Sequence, residues 1–214
     1  MRLVLDRILP APIRPQRREW LDVRIRMEPL SAAPPPARYL LATLPPEPVF
    51  SEVWALKQEV HRLTGSRNAV RLPPHITLIP PFRLPPTEFE PRAQAVLADF
   101  AAAQPSVAVS LQDFAWFANR TLFVRVVQAE ALQRLHAALL ARCRTDLPAV
   151  PLETRPFTPH MTLATRDLPP AQVPALKVDF AARRYTATFQ VTALTLFRHD
   201  GRQWQPVGEF RLEW

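Results

Sequence analysis

The chain of 214 residues carries one cysteine, Cys143. A single thiol excludes an internal disulfide and a cysteine-built zinc site. Cys143 falls within a helical pattern, so it reads as a core residue rather than a nucleophile. No apolar run approaches the roughly 20 residues that cross a bilayer as a helix. The N-terminal region has no apolar h-region and no small-residue cleavage site, so the secretory pattern is missing. No His-x-His, His-Glu-x-x-His or acidic cluster stands near the histidines considered below, so the usual zinc spacings are missing too. These absences predict a soluble cytoplasmic monomer with no metal, no cofactor and no membrane partner. Lysine is also scarce: of 27 basic residues, only Lys57 and Lys177 are lysine.

What is present is hydrophobic residue and arginine. Hydrophobic residues make up 48% of the chain, which excludes a wholly disordered protein and suffices for one domain or one domain of two lobes. The formal net charge is +8. Arginine suits phosphate because its planar fork donates two bonds to two oxygens. A GC-rich coding sequence would produce the same arginine, alanine and proline bias, so charge alone does not assign nucleic-acid binding. Residues 1–37 stand apart as a Pro/Arg-rich tail, with Pro10, Pro12, Pro15 and the Pro34-Pro35-Pro36 run resisting regular structure. The tail is expected to be flexible or loosely packed, with an RNA-binding arm as its functional alternative. Residues 38–214 form the expected folded domain.

The apolar run from Tyr39 to Leu44 predicts a buried strand. Val49, Val53, Leu56, Val60 and Leu63 recur at helical spacing, between Pro48 and Gly65. A strand is expected over His75–Ile79, closed by Pro80 and Pro81. A second helix fits 87–100, burying Phe89, Ala93, Val96, Leu97 and Phe100. Strands follow near 106–112 and 121–128 about a turn at Asn119-Arg120. A third helix over 130–143 buries Leu132, Leu135, Leu139 and Leu140. Another strand carries His160 to Leu163, and a short helix is possible near 170–180. The end, 185–198 and 203–213, reads as a hairpin around Asp200-Gly201. The order suggests one pattern used twice in an α+β domain.

The most informative feature is a repeat. Pro74-His75-Ile76-Thr77-Leu78 is matched by Pro159-His160-Met161-Thr162-Leu163. On a strand, side chains alternate faces, so His75 and Thr77 share one face while Ile76 and Leu78 share the other. The second copy behaves alike. Two such strands brought together enclose two imidazoles and two hydroxyls. That set suits phosphate ester chemistry. Histidine both takes and gives a proton near neutral pH, and the hydroxyls of Thr77 and Thr162 can donate to non-bridging phosphate oxygens. The other histidines, His61, His136 and His199, read as structural.

These residues resemble a known family. Two His-x-Thr-x motifs, one per lobe, mark the 2H phosphoesterase superfamily, which includes 2′-5′ RNA ligase-like proteins and 2′,3′-cyclic phosphodiesterases. The stretch from His75 to Phe82 resembles the first motif of the bacterial 2′-5′ RNA ligase family. The stretch from Arg155 to Leu163 resembles the second, and Arg166-Asp167-Leu168 follows as in one bacterial branch. The resemblance covers about residues 38–214. It implies a bilobal fold of two pseudo-symmetric lobes, each antiparallel sheet with outer helices, around a central cleft. It implies that His75, Thr77, His160 and Thr162 form the site, with His160 read as base and His75 as acid. It implies action on 2′,3′-cyclic phosphate RNA ends, small cyclic nucleotides or 2′-5′ linkages, by hydrolysis or, in reverse, joining. The alternative is a binding module of the same fold that holds a nucleotide or RNA end without turnover. By position, Phe82 and Phe157 are candidates to stack on a base, against a core-packing reading. Arg166, Arg120 and, further off, Arg71 are candidates to meet phosphate, against a solvated one.

Overall fold

The structure, a computed structural model, describes residues 34–213. The expected tail therefore lies, except for its last four residues, outside the described residues. Strand β1 (Ala37–Thr43) is buried on both faces, as its unbroken apolar run requires. Helix α1 (Val49–Thr64) ends at Gly65, whose φ of 72° lets its N–H reach the His61 carbonyl at 2.7 Å. The buried stripe of α1 is Val49, Val53, Lys57, Val60 and Thr64. Leu63, expected inside, is exposed, because the stripe turns one position away from it and takes in Lys57 instead.

Strand β2 (Ile76–Leu84) corrects a second expectation: Pro80 and Pro81 do not close it. Tyr39 of β1 pairs with Phe82 while Leu41 pairs with Ile79, so the prolines occupy a bulge where their missing N–H groups leave the ladder intact. Helix α2 (Pro86–Ala102) buries Phe89, Ala93, Leu97 and Phe100. Strands β3 (Val107–Phe117) and β4 (Thr121–Val127) form a hairpin about residues 118–120. Helix α3 (Glu130–Asp146) buries Leu132, Leu135, His136, Leu139 and Cys143. Burial pushes the Cys143 thiol up to about 11, assisted by Asp146, in keeping with an inert core residue. Strand β5 (His160–Thr165) and helix α4 (Val173–Ala182) follow.

The segment 185–198, expected as one hairpin arm, is two strands. β6 (Thr186–Val191) pairs with β3, whereas β7 (Ala193–His199) pairs with β1 and then with β8 (Trp204–Arg211). The chain changes halves at Thr192, whose carbonyl accepts the Leu212 N–H at 2.9 Å.

The eight strands make one antiparallel sheet in the order β6-β3-β4-β5-β2-β1-β7-β8. Read outward from its middle, each half holds four strands, β5-β4-β3-β6 and β2-β1-β7-β8. The two motif strands, β2 and β5, are thus neighbours at the centre. They pair at one position only, Ile76 opposite Met161. Ile76, Leu78, Met161 and Leu163 are all buried in the main core, as the alternation predicts. A smaller cluster of Leu40, Ala42 and Phe197 fills the other face of β1, with Leu72 and Trp204 against it. No helix among the described residues is long and apolar enough to cross a membrane.

Met161, fully buried at the one pairing between the halves, anchors this arrangement. Met161→Ala should cost about 2–5 kcal/mol. Urea unfolding should show a lower midpoint with an unchanged slope; an unchanged midpoint would mean that the centre repacks freely.

Candidate active site

The two histidines reach the cleft by matching local geometry. Nδ1 of His75 lies 2.7 Å from the Pro73 carbonyl, and Nδ1 of His160 lies 2.8 Å from the Thr158 carbonyl. A carbonyl only accepts, so each Nδ1 carries the proton and donates, and each Nε2 is left with a free lone pair. The proline before each histidine biases the residue ahead of it toward an extended backbone, which suits the position of that carbonyl.

His75, Thr77, His160 and Thr162 line one cavity of about 380 Å³. Arg38, Lys57, Arg71 and Arg166 line it as well, and no lining residue is Asp or Glu. A family model, described as the 2′-5′ RNA ligase superfamily, matches residues 45–203, a span that includes both motifs. The chain belongs to this superfamily. It is an enzymatic family of phosphoesterases and RNA ligases.

The superfamily fold recurs in solved structures. TT0787 of Thermus thermophilus superposes with a TM-score of 0.61 at 22% identity, over 82% of this chain and 97% of that one. LigT of E. coli, crystallised with 3′-AMP, superposes with a TM-score of 0.58 at 20% identity, over 83% of this chain and 98% of that one. These identities speak for the fold alone. No curated protein matches the sequence.

The two repeated motifs account for part of the cleft, and the structure sorts the remaining sequence candidates. Arg166, at the end of β5 with a φ of 67°, lines the cavity. Arg71 also lines it. Arg120 does not; it is exposed in the 118–120 turn, and its carbonyl accepts the Arg166 N–H at 3.3 Å. Of the two readings of Phe82, base stacking is corrected and core packing is the one observed. The ring is buried between Tyr39 and Phe89, with ring centroids 5.8 and 5.3 Å away, because β2 continues past the prolines and turns Phe82 into the core. Phe157 lines an adjoining arm of the cleft, with one face stacked on His136 at 3.9 Å. His199, read as structural, stands at the cleft edge against Trp204.

Three features escaped the sequence reading. Phe117 and Phe123 flank the His160 ring at 4.8 and 5.2 Å. Lys57 is 1% exposed, and its Nζ donates to the Thr162 carbonyl at 2.9 Å. Asp167 ties the short 3-10 helix at Arg67–Ala69 to the end of β5. Its carboxylate accepts from Ser66 Oγ and from the Arg67 and Asn68 N–H groups. Asn68 and Arg71 thereby come to the cleft. Among the described residues, no group of three His, Cys, Asp or Glu side chains is arranged to hold a metal ion.

Electrostatics make the histidines unequal. Burial pushes the His75 imidazole down to about 4, helped by Lys57 and His160 and opposed by the Pro73 carbonyl. Burial also lowers His160, opposed by the Thr158 carbonyl, and lowers His136, opposed by the Leu78 carbonyl. Each folded-state value lies below the unfolded value of about 6.5, so below that pH the unfolded chain binds protons that the folded chain does not. Stability should therefore fall as pH drops from about 6.5 toward 4. Urea midpoints across this range should fall less steeply in a His75→Gln, His160→Gln variant. Equal slopes in the two proteins would show that these rings do not carry the effect.

Proposed function

We propose that the protein is a metal-independent phosphodiesterase that uses His75 and His160 as an acid–base pair. Its substrates in this reading are 2′,3′-cyclic phosphate RNA ends, small cyclic nucleotides or 2′-5′ linkages. The observation that carries the reading is the twin Nδ1–carbonyl bond, which leaves Nε2 as the nitrogen that takes or gives a proton on both histidines of one acid-free, cation-lined cavity.

In hydrolysis, water attacks phosphorus while one imidazole takes its proton. The bond from phosphorus to one ribose oxygen breaks, and the other imidazole, protonated at the start, gives its proton to that oxygen. The product is a 2′- or 3′-monophosphate. Joining uses the same pair with a 5′-hydroxyl in place of water: its oxygen bonds to phosphorus, its proton goes to the base imidazole, and the ribose oxygen that leaves takes the proton of the other. Cleavage of the 2′-5′ linkage by ring closure is the reverse of this step, with the roles exchanged. Thr77 and Thr162 donate to the non-bridging oxygens, where negative charge collects. The arginines neutralise the phosphate from the rim. LigT has been crystallised with 3′-AMP and with ATP, and a nucleotide fits the same reading here. The expected cytoplasmic location and monomeric state belong to this proposal.

His75→Ala and His160→Ala should each lower kcat/KM on nucleoside 2′,3′-cyclic phosphates by about 10²–10⁴-fold, with wild-type turnover indifferent to EDTA. Either variant working at the wild-type rate would overturn the pair. Tight binding without turnover by the wild type would mark a binding module instead.

Three arginines, Arg38, Arg71 and Arg166, against a single phosphate also favour a substrate with a second phosphate. A dinucleotide ending in a cyclic phosphate should be preferred over the mononucleotide. Arg38→Ala or Arg71→Ala should reduce that preference roughly tenfold, as loss of one charge-assisted hydrogen bond implies. An unchanged ratio in both variants would remove these arginines from the substrate path.

A further inference from the structure

Lys57 sits where a lysine is costly. It occupies the middle of the buried stripe of α1, between Val53 and Val60, and is 1% exposed. Among the described residues its ammonium makes one hydrogen bond, to the Thr162 carbonyl. The sheet explains why that carbonyl needs a partner. β2 and β5 pair at Ile76 and Met161 and then diverge, so backbone groups beside the gap lose their ladder partners.

The other motif strand also gives a carbonyl to a helix side chain, at Leu78, which the pairing with β1 skips. The Leu78 carbonyl of β2 accepts from His136 Nε2 of α3 at 3.1 Å. Each of these two helices thus sends one donor to the motif strand of the opposite half. On the α3 side the donor is a ring whose charged form burial disfavours. A neutral donor therefore suffices for a motif-strand carbonyl. What only an ammonium adds is charge, and Lys57 lines the cleft beside His75, Thr77, His160 and Thr162.

We propose that Lys57 is a positioning residue of this site: pinned to the Thr162 carbonyl where the motif strands part, its ammonium orders the two histidines, His75 as the base and His160 as the proton donor. The inference rests on the acid–base reading above and reverses the assignment expected from the sequence. The charged and titratable groups that line the cleft with His75 are Lys57 from α1, His160 from β5, Arg38 from β1, Arg71 ahead of β2, Arg166 after β5 and His199 at the end of β7. Glu153 and Arg155 line the adjoining arm, beside Thr77 and His160. Lys57 and His160 both disfavour the His75 cation, and no carboxylate acts on it. Burial weighs most on His75, and Lys57 comes next, whereas His160 is shifted by burial and by its own Thr158 contact. Lys57 is itself pushed down to about 7 by burial, so its charge weakens as pH rises past neutrality.

The test uses the full chain and two substitutions. Lys57→Gln keeps a donor for the Thr162 carbonyl and removes the charge, while Lys57→Met removes both. With a cyclic nucleotide that the wild type turns over, both variants should move the acid limb of the kcat/KM–pH profile to higher pH, because His75 gains its proton more easily. That limb should lie about one pH unit higher than in the wild type, where burial holds His75 down to about 4, so the rate should fall up to about tenfold more below about pH 4 than at about pH 8. Lys57→Gln should keep the thermal midpoint and KM near wild type. A uniform loss at all pH values with an unmoved acid limb would reduce Lys57 to a structural role and overturn the proposal.

A second measurement needs neither variant nor substrate. NMR titration of the imidazoles of the wild-type protein should show His160 gaining a proton before His75 as pH falls. The reverse order would overturn the assignment. If His75→Ala retains the wild-type rate, it is the acid–base reading that has failed, whatever the NMR order.

Discussion

Two strands with the same five-residue pattern lie side by side at the centre of the sheet, touch at Ile76 and Met161, and separate. Separation at that point creates the space in which substrate chemistry is proposed. Two carbonyls of these strands accept from helix side chains, Thr162 from Lys57 of α1 and Leu78 from His136 of α3. If β2 and β5 stayed paired along their length, the gap would close, and the buried lysine would have no carbonyl to hold. The burial of Ile76, Leu78, Met161 and Leu163 keeps the two strands fixed while their opposite faces stay open.

The site is organised before substrate arrives. Each imidazole is held in one tautomer by a backbone carbonyl two residues upstream, so no rearrangement of that bond is needed to present Nε2. The charged residues of the cavity wall are all cationic, which favours a phosphate over a neutral ester and raises its local concentration. The same positive field disfavours protonated histidine, and it acts most strongly on the more deeply buried ring. Burial and charge together separate two residues that their motifs make look equivalent.

That separation marks the limit of what the sequence told. The repeat identified His75, Thr77, His160 and Thr162, because strand alternation is a local rule and needs no knowledge of the partner strand. Burial of Cys143 and the helices around it followed from spacing in the same way. The end of β2 was misplaced because a Pro-Pro pair usually ends a strand, and a bulge that absorbs it depends on pairing with β1. The division of 185–198 at Thr192 is equally nonlocal, since the two pieces belong to opposite halves of the sheet. Lys57 was hidden because a lysine within a valine stripe reads as the polar edge of a helix. Its partner is a backbone carbonyl 105 residues away, invisible to any side-chain pattern.

The central claim is that two histidines on separating strands share proton transfer to and from a phosphate ester without a metal. The wild-type pH dependence of kcat/KM on a nucleoside 2′,3′-cyclic phosphate, measured in EDTA, addresses it most directly. A bell-shaped profile, with one limb for loss of the neutral base and one for loss of the protonated acid, is the predicted result. A flat profile between about pH 5 and 9, or activity abolished by the chelator, would contradict it.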